Sequence, residues 1–269
     1  MSVFELPLRQ SDLKSLDMCL HRWTVLRDNP ELDWETDAAS IGSAVHTGIE
    51  GYLRGDVCDL DQMLDLVTMD FDARLDDPSF RFVKYATRET CIKWAHVYAR
   101  HWFNKYSLHW PNPDNLLIEY TFKGVPLYQD ENYNITMNGT IDLVDKIEMS
   151  DEHDEWHLLK PRDWKTSGRG EYIVWEYARW AVQPTAYTLA LKHLFPWDHV
   201  ADFSYSVMHA KGVQEFSVER GPADWAWLGQ KALSYAKMIE AGVAPKKDDH
   251  ALCSARWCPV WDRCKGASS

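Results

Sequence analysis

The sequence predicts an α/β fold in which one central sheet is packed between helices. Three observations carry this. Helical periodicity fills the first 110 residues; a stretch rich in β-branched and aromatic residues follows between residues 115 and 163; helical and strand-like segments then alternate to residue 240. Helices, then an antiparallel meander, then a helix, a strand pair and a helix exclude the all-α and all-β classes. No repeat, low-complexity tract or Pro/Gly/Ser linker divides the 269 residues, a length that can bury one large core.

Each element has its own reason. Ser11 can cap a helix over residues 11–23, with Leu13, Leu16 and Leu20 on one face. Further helices are predicted over 41–52, 60–74 and 88–106, the last carrying Trp94, Val97, Tyr98 and Trp102. Strands are predicted over 115–122, 134–137, 140–147 and 156–163. A long helix over 173–194, a strand pair over 201–209 and 214–218, and a helix over 222–240 complete the set.

Charge argues first against nucleic acid and then, on closer count, does not. The formal net charge is −12, and phosphate affinity comes from Lys and Arg. Residues 1–80 alone carry a net of −11, and the acidic run from Asp56 reads as the solvated face of a helix. Residues 160–269 carry +3 and include Lys160, Arg162, Lys165, Arg169, Arg179, Arg256 and Arg263. This asymmetry predicts a modest basic track on one side and an acidic face turned away from it. No apolar run is long enough to span a membrane, and no secretory leader is read, so the expected setting is the cytoplasm.

Of six cysteines, Cys58 and Cys91 stand alone in predicted helices as small hydrophobes. Cys19 lies far upstream, and Cys253, Cys258 and Cys264 crowd the C-terminal end as C-x4-C-P-x4-C. In a cytoplasmic chain such a cluster points to metal binding or redox chemistry rather than disulfides.

Polar residues in apolar strands mark the chemistry. Asp142 interrupts the run Thr140-Ile141-Asp142-Leu143-Val144, where a carboxylate is costly unless it meets a cation or a donor. Asp163 and Lys165 are two apart and share a strand face. If the 140–147 and 156–163 strands form a hairpin, Asp142 and Asp163 meet at one end. Two close carboxylates then favour an oxygen-liganded divalent ion, with Lys165 as a fixed positive charge beside it. On spacing alone, a surface salt-bridge ladder remains the competing reading. His46 sits among small residues in Gly42-x-x-x-His46, and Gln183 and Tyr187 share one helix face.

In order, Gly42/His46, Gly139-x-Ile141-Asp142, Asp163-x-Lys165-Thr166 and Gln183-x-x-x-Tyr187 resemble the RecB-like branch of the PD-(D/E)XK nuclease superfamily. The cysteine pattern is similar to that of CRISPR-associated RecB-like nucleases and AddB-type helicase–nucleases. The resemblance spans roughly residues 10–265. It implies a restriction-endonuclease-like mixed sheet flanked by helices, as a single domain over 1–269. Within it, residues 1–110 would be mainly helical, 111–245 the nuclease core and 246–269 the cysteine segment. It implies that His46, Asp142, Asp163 and the Trp164 carbonyl hold Mg²⁺ or Mn²⁺, and that Lys165 activates water and stabilises charge. Gln183 and Tyr187 would support the site or touch substrate, and Glu119, just before a strand, would match an acidic position that some members use. Cys19, Cys253, Cys258 and Cys264 would hold [4Fe–4S], with structural Zn²⁺ as the alternative. The implied activity is a DNA nuclease, an exonuclease on free or partly single-stranded ends. Its processes would be phage recombination, repair or CRISPR adaptation, with a protein partner from one of them, in the cytoplasm of a bacterial or phage-infected cell. A non-catalytic nuclease-fold subunit that binds DNA or a partner is the alternative. Two departures stand out: the first gap of the cysteine trio is four residues where two is usual, and Pro184 follows Gln183 where leucine is common. The proline predicts a kink or restart of that helix.

Overall fold

The computed structural model describes residues 3–85, 87–110, 113–152, 154–168, 181–247 and 252–266. Nine strands and eight α-helices are found among them. The chain starts with β1 (Phe4–Arg9), α1 (Gln10–Met18), α2 (Leu20–Asp28) and the two-residue β2 (Glu35–Thr36). Then come α3 (Asp37–Arg54), α4 (Leu60–Leu75), β3 (Phe80–Arg81) and α5 (Arg88–Tyr106). The meander is β4 (Leu116–Gln129), β5 (Tyr133–Ser150) and β6 (Glu155–Ser167). The rest is α6 (Val182–Leu194), β7 (His199–Val200), β8 (Phe203–His209), β9 (Gly212–Val218), α7 (Pro222–Glu240) and α8 (Trp261–Lys265). Among the described residues, no helix is long and apolar enough to cross a membrane.

Seven of the strands form one mixed sheet in the order β1-β5-β6-β8-β9, with β4 on β5 and β7 on β6. It is a mixed α/β architecture of the restriction-endonuclease-like kind. One apolar layer joins the sheet to α3, α4 and α5 through Ile41, Val45, Phe71, Tyr98, Trp102 and Trp164. The opposite layer joins it to α1, α2, α6 and α7 through Leu13, Leu16, Ala186, Leu191, Leu228 and Ala232. Alternation along the strands deals residues to the two layers: Val207 belongs to one and Met208 to the other.

The register leaves a gap where the chemistry sits. β4 runs antiparallel along one edge of β5. On the other edge, parallel β1 pairs residues 133–138 and antiparallel β6 pairs residues 143–150. Residues 139–142 fall between these ladders, and beyond Arg162 strand β6 leaves β5 to pair in parallel with β8. The sheet therefore forks at Asp142 and Asp163, which brings the two carboxylates to one end of the hairpin as the spacing predicts.

Differences from the sequence reading have local causes. The single helix expected over 11–23 is two, broken at Cys19, whose backbone is extended (φ −168°, ψ 109°). The leucine stripe runs through the break, so periodicity does not reveal it. Strand β1 is not anticipated; its Leu6 and Leu8 are buried while Glu5, Pro7 and Arg9 are exposed. The segments 134–137 and 140–147 are one strand, because Asn138-Gly139 continues β5 instead of turning. Cys58 lies outside any helix and is exposed. Helix α6 begins at Val182; the expected helical residues 173–180, with Arg169 and Arg179, lie outside the described residues. Pro184 thus occupies the first turn, where no intrahelical N–H is needed, and the helix starts there rather than kinking.

Behind the fork, Arg162 is enclosed by aromatic faces. Its guanidinium carbon lies 5.4, 5.7 and 5.6 Å from the ring centres of Tyr106, Trp110 and Trp164. Its Nη1 donates to Glu215 at 2.7 Å and to Ser206 at 2.6 Å, and Lys105 pairs with Glu215 at 2.5 Å. Burial pushes the Glu215 carboxyl up, but hydrogen bonds from Lys105, Tyr106 and Arg162 outweigh it and hold it at about 2. A depressed carboxylate stabilises the fold fully above its unfolded pKa and loses that contribution as pH falls through the folded value. Acid unfolding should therefore lose a component between about pH 4.5 and 2 that Glu215→Gln removes, read by circular dichroism. An unchanged acid limb in the variant would exclude Glu215 as its source.

Candidate active site

Helix α3 delivers the first donor. Thr36 caps it by accepting the Ala39 N–H, and Gly55 closes it in the left-handed conformation (φ 80°). Gly42 faces β6, where a Cβ would be in ordinary contact with the Thr166 Oγ1 at 3.4 Å. One turn on, His46 Nε2 lies 2.9 Å from the Trp164 carbonyl, and its Nδ1 lies 3.5 Å from Asp142 Oδ2. The same Asp142 oxygen accepts the Trp164 N–H at 2.7 Å. At the fork, a side-chain carboxylate thus replaces the ladder partner that β6 has left behind.

Glu119 completes the cluster. It lies in β4 between the pairs Ile118↔Leu143 and Tyr120↔Ile141, opposite Asp142, and has φ 49°. A non-glycine residue there costs of order 1–3 kcal/mol and persists where its surroundings impose it. The strand predicted over 115–122 already includes this residue, and it sits inside β4. One ligand atom each from His46, Glu119 and Asp142 lies within 4.8 Å of the others. Burial, then the neighbouring carboxylates of Asp142 and Glu50, pushes Glu119 up to about 8.

Asp163 is buried. Its Oδ1 accepts the Gln183 Nε2 at 2.6 Å, and its Oδ2 faces Lys165 Nζ at 2.5 Å without a hydrogen bond of good geometry. Burial raises its pKa first, then Asp142; Lys165 and His46 oppose them. Gln183 Oε1 in turn accepts from Tyr205 at 3.5 Å, and Tyr187 Oη takes a long contact from Gln183 Nε2 at 3.4 Å. The residues of the four sequence motifs therefore surround one fork, with Asp163 beside the His46–Glu119–Asp142 trio rather than within it.

The donor set fits a hard divalent cation. Imidazole, carboxylates and a backbone carbonyl suit Mg²⁺ or Mn²⁺. Adjacent ligands of an octahedral ion at about 2.1 Å lie about 3 Å apart, close to the separation of His46 Nε2 and the Trp164 oxygen. Moving the ring proton to Nδ1, toward Asp142, turns that pair into two acceptors. The Glu119 carboxyl, raised by burial and by the carboxylates of Asp142 and Glu50, marks a concentration of negative charge that such an ion would balance. Since a raised carboxyl must lose its proton to bind a cation, Mn²⁺ affinity should climb from pH 6.5 to about 8 and then level off. Calorimetry in two buffers should find proton release at pH 7 that Glu119→Gln lowers; equal release in both proteins would remove Glu119 from the ligand set.

A second constellation lies beyond α1. Cys19, Cys253, Cys258 and Cys264 line one cavity together with His21, Arg22, Lys246, Lys247 and Lys265. All four are free thiols. Cys19 Sγ accepts the Arg22 N–H at 3.4 Å, and Lys246 Nζ donates to the Cys264 carbonyl at 2.9 Å. Chain positions 19 and 264 meet here within a basic surround suited to a thiolate-bound, anionic group. Among the described residues, the histidine, glutamate and aspartate trio is the only group of three such donors within 4.8 Å.

A family model for the PD-(D/E)XK nuclease superfamily matches residues 7–265. No curated protein matches the chain significantly. Among solved structures, one described as "Crystal structure of SSO0001" superposes with a TM-score of 0.45 at 11% identity, covering 94% of this chain and 83% of that one.

Proposed function

Because this chain belongs to the PD-(D/E)XK nuclease superfamily, whose members are metal-dependent nucleases, we propose that it is a deoxyribonuclease of the RecB-like branch that digests DNA from ends. The observation that carries the reading is the convergence of His46, Glu119 and Asp142 with the Asp163–Lys165 pair at one fork of the sheet. His46, Asp142, Asp163 and the Trp164 carbonyl, joined by Glu119, would hold Mg²⁺ or Mn²⁺. Such an ion supplies an activated water and charge stabilisation for in-line attack on a phosphodiester.

The protein's own groups do the rest. Lys165 is partly exposed while Asp163 beneath it is buried, so the ammonium is anchored inward and aimed at substrate. There it offsets negative charge growing on the phosphoryl oxygens. Gln183 holds Asp163 Oδ1 and leaves Oδ2 to face the site. Tyr205 and Tyr187 fix that amide, which makes both tyrosines supports.

Four cysteines around one basic cavity support a [4Fe–4S] cluster over Zn²⁺ as a structural staple. The same reading treats the chain as one domain, with a mainly helical part over 1–110, a nuclease core over 111–245 and a cysteine segment over 246–269 that the bound group would tie to Cys19. The cytoplasm of a bacterial or phage-infected cell, and a role in recombination, repair or CRISPR adaptation, belong to the same reading. A comparison of end-labelled linear DNA with closed circular DNA, in Mn²⁺ or Mg²⁺, tests it. Exonuclease action predicts loss of linear substrate and persistence of the circle. Equal cleavage of both would replace it with endonuclease action.

A further inference from the structure

The loop between β3 and α5 lies against the end of β6, and its backbone is held by the buried Asp37 and the exposed Arg256. Asp37, at the first position of α3, is fully buried. Its two oxygens accept the Lys84 N–H at 3.0 and 2.9 Å, the Ala38 N–H at 2.9 Å, and the Tyr85 N–H. A carboxylate taken out of water is tolerated when donors converge on it in this way. From the opposite side Arg256, between Cys253 and Cys258, donates from Nε at 2.9 Å and from Nη2 to the Val83 carbonyl. Three consecutive residues are thereby fixed from two directions.

What the clamp presents is a cation. Lys84 is exposed, and its ammonium rides 4.7 Å above the Tyr85 ring, which leans on Trp94 at 6.2 Å. Lys84 Nζ and Tyr85 Oη lie so close to Gly168 that a Cβ there would collide with both. Gly168 directly follows β6. Helix α3 runs beside this strand as a ruler: His46 meets Trp164, Gly42 meets Thr166, and Asp37 holds the loop that covers Gly168. Four residues of extended chain separate Trp164 from Gly168, roughly 13 Å. At 3.4 Å of helix axis per phosphate, that is a few phosphates along a strand.

We propose that Lys84 contacts substrate, neutralising a backbone phosphate a few nucleotides from the scissile bond, and that Asp37 and Arg256 are positioning residues for it. The proposal rests on the nuclease reading above. It also gives the cysteine segment a route to the active site, through Arg256 and the Val83 carbonyl.

The test is DNA binding by the intact protein, followed by fluorescence anisotropy of a labelled single strand between about 50 and 200 mM salt, with Ca²⁺ as the divalent ion to hold back cleavage. Each phosphate contact contributes about 0.7 to the slope of log affinity against log salt for a single strand. Lys84→Ala should lower the slope by about that amount and weaken binding several-fold, while Lys84→Arg keeps both. Lys237→Ala, on α7, controls for loss of a surface charge. A slope unchanged in Lys84→Ala, or lowered equally in Lys237→Ala, overturns the contact and leaves the nuclease reading intact. A wild-type protein with neither salt-dependent binding nor metal-dependent cleavage overturns both.

Discussion

Lys165→Ala should lower phosphodiester hydrolysis by about 10²–10³-fold while leaving Mn²⁺ binding and thermal stability near those of the wild type. The reason is the division of labour within one strand face. Asp163 is buried and held by Gln183, so its position does not depend on Lys165 alone. Lys165 is partly exposed and leans on Asp163 Oδ2 at 2.5 Å. Its loss removes charge stabilisation at the reacting phosphate and leaves the His46–Glu119–Asp142 donors standing. The effect should therefore fall on kcat more than on KM. Lys165→Arg keeps the charge but spreads it over a larger planar head and should recover only part of the rate. A variant that cleaves at the wild-type rate would place the reacting phosphate elsewhere.

The second large effect is expected at the cysteines. Anaerobically purified protein should absorb near about 400 nm, and Cys258→Ala should abolish that band. The same substitution should lower the melting temperature by on the order of 10 °C. Structural metal binding can contribute on the order of 10 kcal/mol, and even a third of that shifts a domain of this size by several degrees. The cavity brings Cys19, in the break between α1 and α2, together with Cys264, and Arg256, between Cys253 and Cys258, reaches the loop at Val83. Loss of the group should thus loosen two places at once. A colourless Cys258→Ala protein as stable as the wild type would leave the cysteines without a structural role, and one equivalent of bound zinc would replace the cluster.

How far the sequence could be read depended on whether a feature is local. The motifs at His46, Asp142, Asp163–Lys165 and Gln183–Tyr187 are legible because each puts its chemistry within a few residues. The hairpin of β5 and β6 is legible because turn-free, β-rich segments flank a polar loop at 151–154. Helices α5 and α7 run over the predicted residues because strong periodicity coincides with a threonine cap in one and a proline start in the other. The role of Glu119 was only weakly legible. Nothing within its own segment singles it out; its position depends on cross-strand register with Asp142 and on an uncommon backbone angle that no residue pattern announces. The break at Cys19 was hidden for the opposite reason, since the apolar stripe of two short helices imitates one long one. Strand β1 depends on parallel pairing with residues 133–138, a partner more than 120 residues away. The loop at Lys84 is likewise invisible in one dimension, because Asp37, Arg256 and Gly168 come from three distant parts of the chain.

Cleavage of DNA by protein stripped of metal and then reloaded tests the fork as a catalytic centre most directly. After EDTA treatment, the intact protein should release no acid-soluble nucleotide from linear DNA. Restoring Mn²⁺ or Mg²⁺ should bring release back in the wild type, and in neither Asp142→Ala nor Asp163→Ala. Release that persists in EDTA, or that survives in both variants, would contradict a metal centre at His46, Glu119, Asp142 and Asp163.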